Sequence, residues 1–184
     1  WHDVDDGLQE PKQEKEQKPE PSLDYQKFKI IDKQKESDTI TSFYLAPTGS
    51  NTIQPYSPGQ FLPIQLNIAK QPKPVMRSYT LSAPSLKDCY RISVKRESNG
   101  LVSQALHDNF ATGDVINVGL PAGQFTVQNN DHAVVFISAG VGITPMIAML
   151  EGIIAEVEAG GPVRPVWFIH GSQNSQTHAF SADL

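Results

Sequence analysis

Five consecutive apolar residues, Ala133-Val134-Val135-Phe136-Ile137, lead into the glycine-rich turn Gly140-Val141-Gly142-Ile143-Thr144-Pro145. Beyond the turn, Met146, Met149, Leu150, Ile153, Ile154 and Val157 recur at helical spacing, with Glu151, Glu156 and Glu158 between them. Gly160-Gly161 is a fitting stop for that helix. A strand without a polar face is predicted to be buried on both sides, as strands of parallel sheets are. A second strand predicted over 163–169 then makes a βαβ unit with the helix as its crossover. This stretch restricts the chain from about residue 131 onward to an open α/β lobe.

The hundred residues before it have another texture. Phe28-Lys29-Ile30-Ile31 and Thr39-Ile40-Thr41-Ser42-Phe43-Tyr44-Leu45 carry β-branched and aromatic residues, and Ala46-Pro47-Thr48-Gly49 breaks the pattern. Leu62, Ile64, Leu66 and Ile68 alternate on one face, with Pro63 predicting an edge or bulged strand. Further strands are predicted over 75–82, 90–95 and 115–120, with a short helix over 102–109. Six short strands at this spacing predict a small antiparallel barrel over 24–130. The fold class is therefore β plus α/β, a six-stranded barrel followed by the first βαβ part of a Rossmann-like lobe over 131–184.

Upstream, residues 9–21 are all Gln, Glu, Lys or Pro, a composition that buries too little surface to order itself. Residues 1–23 thus read as a disordered linker or tail. The first residue is Trp1 rather than Met, which reads as a piece of a longer polypeptide.

The 184 residues are 39% hydrophobic, enough for a packed core, and carry a net charge of -5, which disfavours a nucleic-acid partner. Cys89 is the only cysteine, so no internal disulfide or cysteine metal cluster is expected, and a reducing, cytoplasmic setting is the simpler inference. No apolar run approaches the ~20 residues of a membrane span. His2, His107, His132, His170 and His178 show no metal-ligand spacing, so no metal is expected.

Three short motifs carry chemistry. Arg77-Ser78-Tyr79-Thr80 offers a guanidinium for a pyrophosphate, an aromatic face and hydroxyls on one extended stretch. Alone, it reads also as a plain strand with an exposed Arg and a half-buried Tyr. Gly100-Leu101-Val102-Ser103 opens the short helix, where free backbone N–H groups favour an anion and Ser103 adds a hydroxyl. The alternative there is an ordinary turn. Gly140 and Gly142 allow a tight turn and close approach of a dinucleotide, and Pro145 suits a first helical turn. The spacing is not G-x-G-x-x-G, however, and His170-Gly171-Ser172-Gln173 holds no carboxylate for a ribose.

In this order the barrel, Arg-x-Tyr-Thr, Gly-x-x-Ser and Gly-x-Gly-x-x-Pro resemble the ferredoxin-NADP reductase-like flavoproteins, and most of all the reductase part of flavohaemoglobins. The likeness runs from about residue 25 to 184 and includes Pro58-Gly59-Gln60-Phe61, Pro121-Ala122-Gly123-Gln124-Phe125 and His178-Ala179-Phe180. It implies FAD in the barrel and NAD(P)H as substrate at the α/β lobe. Arg77 would hold the pyrophosphate, Tyr79 would pack on the isoalloxazine, and Thr80 would hydrogen-bond near the hydride-accepting N5, which makes Tyr79 and Thr80 the catalytic candidates. Phe61, Ser78, Val94, Lys95 and Gly100-Leu101-Val102-Ser103 complete the implied FAD set, while Gly140-Val141-Gly142-Ile143-Thr144-Pro145 would line the nicotinamide nucleotide. Phe61 stands where flavohaemoglobins usually have Tyr. The family's later Cys-Gly segment and C-terminal residues lie beyond Leu184, so slow NAD(P)H turnover is expected of these residues alone. The implied activity is an NAD(P)H-dependent flavin oxidoreductase module that passes electrons to a haem or iron-sulfur domain or protein, in the same polypeptide or a separate one. The alternative is a non-catalytic flavin-binding or docking module.

Overall fold

The computed structural model describes residues 24–128 and 130–184; the linker expected over 1–23 lies outside the described residues. Strands β1 (Gln26–Lys35), β2 (Ile40–Pro47), β3 (Phe61–Leu66), β4 (Val75–Thr80), β5 (Tyr90–Lys95) and β6 (Val115–Val118) form one antiparallel sheet in the order β4-β3-β6-β1-β2-β5. Its two end strands meet just past β4, where Leu81 bridges Ile92 and the Ser82 N–H donates to the Arg91 carbonyl at 2.8 Å. The sheet thereby closes into the expected six-stranded barrel.

Alternation places the core. Phe28, Ile30, Leu62, Ile64, Leu66, Tyr90, Ile92 and Val94 are each 2% exposed or less, and removal of such a side chain from water contributes about 1.5–3 kcal/mol. Helix α1 (Leu101–Asp108) plugs one end with Val102, Ala105 and Leu106. Its C-terminal carbonyls need an outside donor. Lys33 on β1 supplies it, with Nζ reaching the carbonyls of Leu106, His107 and Phe110 at 3.3, 3.2 and 2.7 Å.

Pro63 does not mark an edge. β3 lies between β4 and β6, and the proline is tolerated because the register slips there: Phe61 faces Ala122 while Ile64 faces Val118. The bulge that the proline also predicted is therefore the operative reading, and the Pro63 carbonyl still accepts from Gly119 N–H at 2.7 Å.

In the second lobe β7 (Val134–Ala139) and β8 (Val166–Gly171) pair in parallel, and α2 (Ile143–Glu158) crosses between them after a 3-10 turn over Gly140–Gly142. The βαβ unit stands where predicted, but β8 begins only after Pro165, which has no N–H for a ladder. Burial of β7 on both faces is incorrect. Phe136 is 4% exposed, whereas Val135 and Ile137 are 54% and 67% exposed. Helix α2 covers one face, and among the described residues nothing covers the face that carries Val135, Ile137, Trp167 and Ile169. Residues 179–183 form a turn, with Phe180 at φ 57° and its ring buried against Ile40, Ile143, Ile147 and Ala179.

That last cluster joins the lobes, because Ile40 belongs to β2. Two further contacts do the same. Asp38 N–H donates to the Gln176 carbonyl at 2.9 Å. Pro58-Gly59 lies against α2: a Cβ on Gly152 would sit 2.9 Å from Pro58 Cγ, and one on Gly59, at φ +100°, would collide with Met149 Cε. Residues 140–158 are long and apolar enough by composition to cross a bilayer. They pack against the lobe sheet and the barrel, which is the position of a core helix.

Candidate functional site

A cavity of about 550 Å³ opens where three distant segments meet: the end of β4, the start of α1 and the turn into α2. Arg77, Ser78, Tyr79 and Thr80 all line it, as do Gly100, Leu101, Val102 and Ser103, and Val141, Gly142, Thr144 and Pro145. Lys95 closes the rim.

The cavity offers hydrogen-bond donors on two sides. The N-cap of α1 is Gly100, which has no side chain to cap the helix, and no acid sits in the first turn. The first amides of the helix thus have no side-chain cap among the described residues and could serve a ligand, and the helix dipole favours negative charge there. Across from them, Arg77 is exposed, and among the described residues its guanidinium makes one bond, from Nη1 to the Met76 carbonyl at 2.7 Å. Lys95 is partly neutralised by Glu97, 3.0 Å away. Burial pushes the Tyr79 phenol up to about 12, against the opposing effect of Arg77, so the ring presents a neutral face at physiological pH.

Ser103 has a different task from the one predicted. Its hydroxyl donates to the Gly100 carbonyl at 3.1 Å and accepts from Glu97 N–H at 3.3 Å, so it braces the loop instead of offering a free donor to an anion. Gly100 is glycine for the same reason, since a Cβ there would strike Ser103 Oγ and reach within 3.0 Å of Glu97 Cβ.

The two glycines of the later turn differ. Gly140 sits at φ +53°, a conformation that favours glycine. Gly142 has φ −62°, and a Cβ there would meet nothing within 4 Å. Neither backbone nor packing requires glycine at 142. Its missing side chain leaves open space at the cavity wall, as a closely approaching ligand needs.

A second cavity of about 520 Å³ lies at the C-terminal ends of β7 and β8, lined by Ala139, Gly140, Gly171, Ser172 and Gln173 together with Thr39, Ile40 and Thr177. It shares Lys95 and Val141 with the first cavity. Ligands of open α/β sheets bind at this end of the strands. Gly171-Ser172-Gln173 lacks a carboxylate, and its signal in the sequence is its position at the end of a strand.

Four predicted residues are not walls of the first cavity. Val94 is fully buried in the barrel core, and Ile143 is fully buried between the lobes. The Phe61 ring lies against Gly123, whose Cβ would come within 3.0 Å of it, although Phe61 pairs with Thr80 across the strands. Gly140 lines the second cavity. Conversely, Ser93, Glu97 and Asn99 line the first cavity unpredicted; their position along β5 and the loop that leads to Gly100 is the signal in the sequence.

Comparison with known proteins agrees with this geometry. Residues 27–127 match the oxidoreductase FAD-binding domain, and residues 136–184 match the oxidoreductase NAD-binding domain. The chain belongs to this oxidoreductase family. It is 45% identical over 161 residues to the flavohemoprotein of Deinococcus radiodurans, an alignment that covers 88% of this chain and 39% of that protein. The flavohem-like FAD/NAD binding domain of nitric oxide dioxygenase from Vibrio cholerae superposes with a TM-score of 0.79 at 36% identity, covering 86% of this chain and 67% of that one. Phthalate dioxygenase reductase, described as a modular structure for electron transfer from pyridine nucleotides to [2Fe-2S], gives a TM-score of 0.77 at 28% identity, over 88% and 48%. The chain thus spans about two fifths of the length of the flavohemoprotein it matches.

The residues present fit FAD, the cofactor of this family. An uncapped helix start and the Arg77 fork suit a pyrophosphate, while the neutral Tyr79 ring and the open space beside Gly142 leave room for a flat ring system between them.

Proposed function

We propose that this chain is the flavin-binding, nicotinamide-binding part of an electron-transfer protein that takes reducing equivalents from NADH or NADPH and delivers them to a haem or iron-sulfur centre. The observation that carries this reading is the convergence of residues 77–80, 100–103 and 141–145 on one cavity, with a second cavity across the shared Lys95 and Val141. FAD, when bound, accepts a hydride and releases electrons one at a time to an acceptor. The chain's own residues bind and orient. Arg77 and the amides of 101–103 hold the pyrophosphate, Tyr79 covers the ring, and the Thr80 hydroxyl, which has no partner among the described residues, donates to it. The second cavity holds the nicotinamide nucleotide against that ring, at the ends of β7 and β8.

In this reading residues 24–130 form the FAD domain and 131–184 the first part of the nucleotide domain, within a longer cytoplasmic protein. The names of its relatives, a flavohemoprotein and a reductase of [2Fe-2S], support a haem or iron-sulfur acceptor. The purified chain should be yellow. Losing a charge-assisted contact to phosphate costs about 1.5–3 kcal/mol, so Arg77→Ala should bind FAD about ten- to a hundredfold more weakly while its far-UV spectrum is unchanged. Stoichiometric flavin retained by Arg77→Ala through dialysis would remove Arg77 from the pyrophosphate site.

A further inference from the structure

Arg164, just before β8, is 7% exposed, and no carboxylate lies within ion-pair distance of it among the described residues. Among the described residues its Nε has no hydrogen-bond partner and its one bond is a long one, Nη1 to the Gln128 carbonyl at 3.4 Å. A buried guanidinium remains charged, and an uncompensated buried charge is among the most destabilising features a fold can hold. Something negative is called for beside it.

Space for it exists. Arg164 lines a cavity of about 340 Å³ that is walled on the barrel side by Ser57 and Pro58, by Thr126 from the segment joining the lobes, and by Gly152 and Glu156 of α2. The hydroxyls of Ser57 and Thr126 make no hydrogen bond among the described residues, so both can donate. The cavity is not the flavin cavity. It shares no lining residue with it and adjoins the later turns of α2, whereas Thr144 and Pro145 in the first turn face the flavin side. Glu156 is the one acid in the wall and is exposed.

We propose that this cavity is an oxyanion site, in which Arg164 takes a phosphate-type anion on its planar fork of donors, assisted by the hydroxyls of Ser57 and Thr126. Bound there, the anion ties the barrel loop, the connecting segment and α2 together on the side away from the flavin, so that lobe docking depends on anion concentration.

The test uses the whole chain saturated with FAD, with inorganic phosphate titrated against sodium chloride of equal ionic strength and unfolding followed by circular dichroism. A ligand that binds only the folded state raises the midpoint with its concentration. The midpoint should rise by about 1–2 °C when phosphate equals its dissociation constant and by about 5–11 °C at a hundredfold excess. The rise should vanish in Arg164→Met, which keeps the aliphatic stem and, with no buried charge left, should be no less stable than the parent in chloride. Arg164→Lys, which keeps a charge without the fork, should shift the phosphate dependence to about tenfold higher concentration. Glu156→Gln should shift it lower by removing a like charge. A midpoint that follows ionic strength alone, a phosphate effect that survives Arg164→Met, or a Glu156→Gln variant that is destabilised and blind to phosphate would overturn the proposal. The last result would make Glu156 the partner of Arg164.

Discussion

Arg91 holds the two lobes in register, and its removal should be among the most damaging single changes outside the core. From β5, Nη2 reaches Glu151 Oε1 and Oε2 on α2 at 3.0 and 3.3 Å. Nε donates to the Ser82 carbonyl at 3.1 Å, which Nη2 also contacts. The guanidinium stands 5.5 Å from the centre of the Phe180 ring. The pair is mostly desolvated, with side-chain exposures of 13% for Arg91 and 29% for Glu151. Burial alone would lower the Arg91 pKa, but Glu151 and Tyr44 together outweigh it and the result is a rise. Breaking a buried pair costs about 3–5 kcal/mol; partial exposure of Glu151 places Arg91→Met near the lower end, at about 3 kcal/mol, even though Glu36, which interacts with both Arg91 and Glu151, then loses its cation. Glu151→Gln keeps the shape and the bonds to Ser82, and should cost about 1–2 kcal/mol. In a domain of this size about 1 kcal/mol moves the midpoint by roughly 2–4 °C, so Arg91→Met should melt about 6–12 °C lower. The assay is a double-mutant cycle in urea, where the coupling between the two positions should be about 1–2 kcal/mol. Additivity within about 0.3 kcal/mol, or an Arg91→Met loss below about 1 kcal/mol, would show that this bridge does not dock the lobes.

Three other outcomes are expected. Burial raises the Glu36 pKa, a shift opposed by Ser42 and Arg91 and reinforced by Asp183 and Glu151; the folded state therefore binds this proton more tightly than the unfolded state, and stability is lost as pH rises through the folded value. Glu36→Gln should accordingly be more stable than the parent at pH 7 and equal to it below pH ~4, and equal unfolding curves at pH 7 would refute this. Gly142→Ala should fold with an unchanged melting temperature, since its Cβ meets nothing, yet bind FAD or the nicotinamide nucleotide more weakly by equilibrium titration; unaltered affinity for both would mean that no ligand approaches there. Thr80→Val preserves shape while removing the hydroxyl, so flavin content should hold and flavin reduction by NADH or NADPH should slow in stopped flow, with an unchanged rate counting against a role beside the reacting ring.

Local order was legible because it depends on neighbours in the chain. Alternating apolar residues on β3 and β5, the helical spacing after Met146 and the Gly160 stop all report which side chains must leave water together. The glycine turn and the Arg77-Ser78-Tyr79-Thr80 stretch stand out likewise, since those residue types offer chemistry that a core does not use, and both line one cavity. Other features depended on partners distant in the chain. The five apolar residues from Ala133 look the same whether one face of β7 is covered or two, and only the placement of α2 decides that Val135 and Ile137 are exposed. Pro63 signals a missing N–H, but whether that N–H would have faced solvent or a register slip depends on β6, more than fifty residues later. Ser103 carries a hydroxyl in any fold, and the closeness of Glu97 and Gly100 decides that it braces a loop. Arg91 and Arg164 show the same limit most plainly: one lies in β5 and the other just before β8, and pairing with Glu151 or burial beside an open cavity is determined by how the second lobe packs against the barrel.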